Sequence, residues 1–381
     1  MRRKDFLQLS ALGALGVGLG KGLTSCGVSP SYTPWKGKRI VLVQLRGGHD
    51  GLFAMPFVGS DVISKERPKL QEVAQKNSIE LENGWHWNEM LQKLLPLWES
   101  GDLIAIPNVG YDQPNRSHFK AQEFWDTGAI IDRDMAHVRG TGWLGRQWEA
   151  QVTGKDLARA IDNPFINLHG SPTIYDKGKL IKALNVTDIN ALRWYGDSEL
   201  GGSAFYAAKA NKINKEINTQ LEVLKWFQDF DSFKGYTNGS LTQQLLRAAD
   251  IIASDMPFVA IHTELGGFDT HGGELERLTD LYEDLGEAIS GFAKSLNQSG
   301  QWKDTLLFVY SDFGRTVGEN QSGGTDHGHA GLSLLAGGDL KAFKEFRNLQ
   351  EPEFEIERGE VFLKYGVDFR DLISKVSGFV A

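Results

Sequence analysis

Five short segments of this 381-residue chain concentrate carboxylates and imidazoles. They are Gly47-Gly48-His49-Asp50-Gly51, Arg116-Ser117-His118-Phe119, Phe268-Asp269-Thr270-His271, Ser311-Asp312-Phe313-Gly314-Arg315 and Thr325-Asp326-His327-Gly328-His329. Carboxylate oxygens and imidazole nitrogens delivered together can hold a divalent ion, and such an ion can polarise an ester. Asp326 to His329 packs three potential ligands into four residues, and Asp269 with His271 offers an oxygen and a nitrogen two residues apart. Asp50 follows two glycines that permit a sharp turn, and reads either as a ligand or as a helix cap. Asp312 ends the most apolar run of the chain, so it must be exposed or paired, because burying a bare charge is costly. Arg315 is then its partner or an anion clamp. Ser117 precedes a helical pattern. It reads either as a plain N-cap or as a nucleophile where exposed amides favour an anion. His118 is either a ligand or helix surface, and His262, inside a strand pattern, reads as core.

The elements that must position these groups are also legible. Apolar runs at 39–45, 103–109, 258–263, 305–310 and 331–336 read as strands. Four of the five segments follow closely on such a run, and the fifth lies just ahead of one. Between the strands, Trp87 to Ser100 has helical spacing. From Leu278 to Leu296, apolar residues recur every three or four positions. Strands alternating with helices predict an α/β fold: a doubly wound, mostly parallel sheet with helices on both faces. Ligands bind at the carboxyl edge of such sheets. Residues 130–245 are polar and rich in Asn, Lys and Gly. They are expected to form an inserted irregular or helical cap within a single domain spanning 39–381, with a helix at Phe205 to Phe227.

The amino-terminal residues read as an address. Arg2, Arg3 and Lys4 precede a short apolar run from Leu9 to Gly20, below the roughly 20 residues that span a bilayer. The order Arg-Arg-Lys-Asp-Phe-Leu resembles a twin-arginine export signal with altered spacing, so general secretion is an open alternative. Leu23-Thr-Ser-Cys26-Gly resembles a bacterial lipobox. This predicts a signal peptide at 1–25, a lipidated Cys26 with a tether to residue 38, and a location on the outer face of a bacterial membrane. Cys26 is the chain's single cysteine, so no internal disulfide can form. The net charge of −8 becomes more negative once the leader is removed, which argues against a nucleic-acid surface.

At these motifs the chain resembles domain-of-unknown-function family 1501, within the alkaline phosphatase and sulfatase superfamily. The resemblance also takes in Leu45-Arg-Gly-Gly-His-Asp-Gly51, Gly142-Trp-Leu-Gly-Arg146 and Asp368-Phe-Arg-Asp371, and it extends over nearly all of the mature chain. It implies an alkaline phosphatase-like fold and a hydrolase of phosphate or sulfate esters using one or two divalent ions, whether zinc, manganese, calcium or magnesium. It implies Asp50 and Asp312 at a first metal, and Asp269 and His271 with His327 or His329 at a second. Ser117 is the implied nucleophile. The implied partner is an anionic ester or glycan. One departure stands out: where phosphatases of the superfamily carry Asp-His, this chain has Asp312-Phe313. The first metal thereby lacks an imidazole, which His49 or His118 could replace. The alternative is a non-catalytic surface lipoprotein of the same fold that binds a glycan, anion or protein partner.

Overall fold

Strand β1 (Arg39–Arg46) is buried along nearly its whole length. Its run Ile-Val-Leu-Val demands that, since a strand apolar on both faces must be covered on both. The computed structural model describes residues 32–130, 138, 140–152, 164–169, 183–185 and 240–380. The leader, Cys26 and most of the expected cap, including 205–227, lie outside the described residues.

The further strands, in chain order, are β2 (Ile79–Glu82), β3 (Trp85–Trp87), β4 (Leu103–Gly110), β5 (Phe165–Asn167), β6 (Leu184–Asn185), β7 (Ala260–Gly266), β8 (Thr305–Ser311), β9 (Arg315–Glu319), β10 (Thr325–His327), β11 (Gly331–Gly337), β12 (Phe354–Glu357), β13 (Glu360–Leu363) and β14 (Val367–Asp368). Eight of them form one sheet in the order β14-β4-β11-β8-β1-β7-β5-β6. β1 pairs in parallel with β7 and β8, placing Val41 opposite both Ile261 and Leu307. β11 alone runs against its neighbours, β4 and β8.

The helices are α1 (Gly51–Ala54), α2 (Asp61–Glu66), α3 (Pro68–Gln75), α4 (Leu95–Ser100), α5 (His118–Thr127), α6 (Trp143–Val152), α7 (Leu241–Ala253), α8 (Glu274–Ser299) and α9 (Phe369–Gly378). Val41, Val43 and Leu45 pack on one side of the sheet with α7 and α8. Ile40 and Leu42 pack on the other with α5, α6 and α9. The fold is therefore a doubly wound, mostly parallel sheet covered on both faces. The periodic residues Leu278, Leu285, Ile289, Phe292 and Leu296 of α8 are all buried, each contributing about 1.5–3 kcal/mol of transfer free energy. The helical pattern from Trp87 to Ser100 is divided: a 3-10 segment spans Glu89–Leu94 and α4 follows. Pro96 enforces the break, because a residue without an N–H fits only the first turn of an α-helix.

This topology dictates where the chemistry-bearing segments meet. β1, β4, β7 and β8 end at the same edge of the sheet, and β11, running the opposite way, begins there. The excursion from Asp312 to Ala330 thus leaves and re-enters at that edge. It brings Asp312, Arg315 and His327 to the segments that follow β4 and β7.

Candidate metal centre

Asp269 Oδ1 lies 3.0 Å from His271 Nε2, 3.2 Å from His327 Nε2 and 3.5 Å from His118 Nε2. His327 Nε2 is in turn 3.1 Å from His118 Nε2 and 3.0 Å from His271 Nε2. Two triads therefore overlap, sharing Asp269 and His327. One includes His118 and has the spacing of a metal-holding group; the other includes His271.

The outer nitrogen of each ring shows what this cluster is built for. His118 Nδ1 is 2.5 Å from the Asp312 carboxylate, His271 Nδ1 is 2.8 Å from that of Asp326, and His327 Nδ1 is 2.8 Å from the Arg116 carbonyl. Each neighbour only accepts, so each Nδ1 carries the proton and donates it. Each Nε2 is left as a bare lone pair. Fixing the tautomer from behind in this way is how metal-ligating histidines are held. Three lone pairs and a carboxylate facing one another repel unless a cation lies among them. The donor set, two or three imidazoles and one carboxylate, suits zinc or a similar ion. The described residues thus fit the divalent metal that the family resemblance implies.

Asp269 is kept ionised by design. Burial raises its pKa, but the hydrogen bond from Arg315, the close contact with His327 and the nearby Arg315 charge outweigh this and bring it to about 2. Arg315 Nη2 donates to Asp269 Oδ1 at 2.7 Å. Nη2 is shared with the carbonyls of Gly47 and Phe268, while Nε donates to the carbonyl of Gly48 and Nη1 to that of Thr325. The guanidinium is fully buried and consumed. The expected anion clamp is a buried brace that positions Asp269.

Other expected ligands also stand elsewhere. Asp50 accepts two bonds from Arg67 Nη1, at 2.7 and 3.0 Å, and caps α1 through the amides of Leu52 and Phe53. Both side chains are almost wholly buried, so the cap reading holds for Asp50 and its carboxylate is closed to a metal. Asp312 is buried and accepts from Gly48 N and Ser311 Oγ besides His118; in this arrangement it orients the His118 ring. His329 turns away. It pairs with Glu355 at 2.6 Å and stacks on Phe362 at 4.1 Å. Gly328 explains the divergence from His327: a Cβ there would stand 2.2 Å from the Arg315 carbonyl carbon, and this close packing redirects the chain. His49 is buried against Tyr282 and the Leu332 carbonyl. His118 is the imidazole that joins the cluster.

Phe313 fills the space an imidazole would occupy. Its ring stacks on His118 at 4.7 Å and lies 4.8 Å from His327. Gly48, at φ +68, has room only for hydrogen, since a Cβ would meet the Phe313 ring at 2.5 Å. Ser117 is the exposed N-cap residue of α5, yet its hydroxyl makes no capping bond. Sequence reasoning missed Arg67, Glu274 and Glu355; none lies in a motif that marks it.

The His118–Asp312 contact gives a pH-dependent expectation. The hydrogen bond that His118 donates to the Asp312 carboxylate is the largest influence on the ring and raises its pKa above the usual 6.5. A metal needs the neutral ring, so metal affinity should begin to fall at a higher pH than for an ordinary imidazole. Asp312→Asn should weaken binding about 10- to 100-fold at neutral pH and move the onset of loss downward. Zinc titration of both proteins between pH 5 and 8 tests this. An unshifted onset would show that Asp312 does not act through His118.

No curated protein matches the chain. Similar solved structures include the C-terminal periplasmic domain of EcEptC from Escherichia coli in complex with Zn, at 12% identity, covering 93% of this chain and 84% of that one, TM-score 0.40. The lipoteichoic acid synthase LtaP from Listeria monocytogenes is similar at 13% identity, over 84% and 70%, TM-score 0.36. A protein in the alkaline phosphatase superfamily from Vibrio parahaemolyticus is similar at 15%, over 86% and 69%, TM-score 0.35. The family model described as protein of unknown function (DUF1501) matches residues 107–343, and the chain belongs to that family.

Proposed function

We propose that the protein is an exported, membrane-anchored, metal-dependent hydrolase of phosphate or sulfate esters with a single metal centre. The observation that carries this is the convergence of bare Nε2 lone pairs on an ionised Asp269, each ring fixed from behind. A divalent ion held there would polarise the ester and offset its negative charge. Ser117, next in the chain to His118, is the nucleophile. Its hydroxyl is uncapped and exposed at the start of α5, where unpaired amides favour an anion. It attacks phosphorus or sulfur, the alcohol leaves, and water then frees the serine. Phe313 walls the histidines from behind. The anchor rests on the lipobox-like Leu23 to Gly27 and on Cys26; no helix among the described residues is long and apolar enough to cross a membrane.

Ser117→Ala should reduce hydrolysis of a phosphate- and sulfate-ester panel by orders of magnitude. Because no capping bond is lost, stability should fall by less than the roughly 0.5–2 kcal/mol of a cap. Unchanged turnover with full metal content would remove Ser117 from the mechanism. A second reading, a non-catalytic binding protein, draws on the closure of Asp50 by Arg67 and of Arg315 by carbonyls. Metal-loaded wild type without turnover on any ester would favour it.

A further inference from the structure

With Arg315 consumed, the site needs another cation to hold the anionic group of its substrate. Arg116 immediately precedes Ser117, and adjacent Cα atoms are only about 3.8 Å apart, so its long side chain starts beside the proposed nucleophile. Its backbone is fixed, since its carbonyl accepts from His327 Nδ1. Its guanidinium, by contrast, makes no hydrogen bond among the described residues. It rests 5.0 Å over the Phe362 ring and lies 3.6 Å from Glu357 and 3.7 Å from Glu360, beyond hydrogen-bond range, with all three side chains partly exposed. An arginine whose fork makes no hydrogen bond, one residue from the proposed nucleophile, differs from Arg67 and Arg315, whose N–H groups are bonded to buried carboxylates and carbonyls. Exposed ion pairs at such distances are weak. A tetrahedral oxyanion presenting two oxygens to the fork binds more strongly.

We propose that Arg116 is the specificity residue of the site, which grips two non-bridging oxygens of a phosphate or sulfate ester. Glu357 and Glu360 on the β12–β13 hairpin hold it in reserve until the anion displaces them. The assignment rests on the ester-hydrolase reading above. It selects esters with at least two free oxygens on the central atom.

The test uses inorganic phosphate as probe and isothermal titration of the full chain, with zinc and after chelation. Arg116→Gln should weaken phosphate binding about 10- to 100-fold with zinc content unchanged, and Arg116→Lys should recover part of it. Glu360, paired with Arg116 alone among the described residues, gives the opposing arm: Glu360→Gln should tighten phosphate binding about two- to fivefold. If Arg116 only latches the hairpin, both substitutions loosen the same contact and no opposite signs appear, which overturns the proposal. Phosphate binding equal to wild type in Arg116→Gln overturns it too. Wild type that takes up no zinc sinks the metal reading alone; loss of phosphate binding in chelated Arg116→Gln still upholds Arg116.

Discussion

Asp269→Asn should give a folded protein that no longer retains metal. Asn can still accept from Arg315, so the buried guanidinium keeps its partner and the fold survives. The charge that faces three Nε2 atoms is gone, however, and an amide oxygen is a poor ligand. Wild type purified without chelator should carry about one ion per chain. Zinc at about 100 times its Kd should add roughly 2.7 kcal/mol to wild-type stability by mass action. Asp269→Asn should show neither the ion nor the stabilisation. Elemental analysis paired with thermal unfolding, with and without zinc, decides it: a substituted protein that binds and responds like wild type would mean that the metal is not held here.

The second large effect concerns Arg67. Among the described residues its guanidinium is the cation set against two buried carboxyl groups, Asp50 and Glu274. Glu274 accepts from Thr325 Oγ1, while its Oε1 finds no donor. Burial, then the Asp50 charge, pushes its pKa up to about 8, so near neutral pH it is mostly protonated and can itself donate to Asp50. Removing Arg67 leaves Asp50 charged, buried and without a counter-ion. Arg67→Met should therefore cost about 3–5 kcal/mol, and adding Asp50→Asn should restore most of it. Urea unfolding of the single and double variants measures this. A single substitution costing less than about 1 kcal/mol would show that Asp50 does not depend on Arg67. The sign of the Glu274 contribution follows from its raised pKa. It is fully present below the carboxyl's unfolded value near 4.5 and is lost as pH rises through about 8.

The sheet was legible because its central strands are continuous apolar runs bounded by glycine, and the observed β1, β4, β7, β8 and β11 overlap those runs. Asp269, His271 and His327 were legible because carboxylate and imidazole clusters in glycine-rich turns rarely serve packing. The choice of His327 over His329 was not, because it depends on where the chain leaves the β9–β10 ladder and on the packing of Gly328 against Arg315. Nor could the fates of Asp50 and Arg315 be read. Arg67 lies 17 residues from Asp50 in no motif, and the carbonyls that consume Arg315 have directions that no side-chain pattern encodes. The antiparallel course of β11, which keeps residues 312–330 on one edge, is likewise a property of pairing and not of composition.

That edge gathers groups remote in sequence. His118 and His327 are 209 residues apart, and His327 and Asp269 are 58 apart. With its single cysteine the chain can form no internal disulfide. An ion held among these groups would be a non-covalent cross-link closing loops that a disulfide would otherwise close. It can form only after β4, β7 and β8 have come together, late in the assembly of a sheet built from long-range pairings. Such a tie would leave the rate of folding unchanged and slow unfolding instead. It would give the folded chain persistence against proteases rather than speed of maturation.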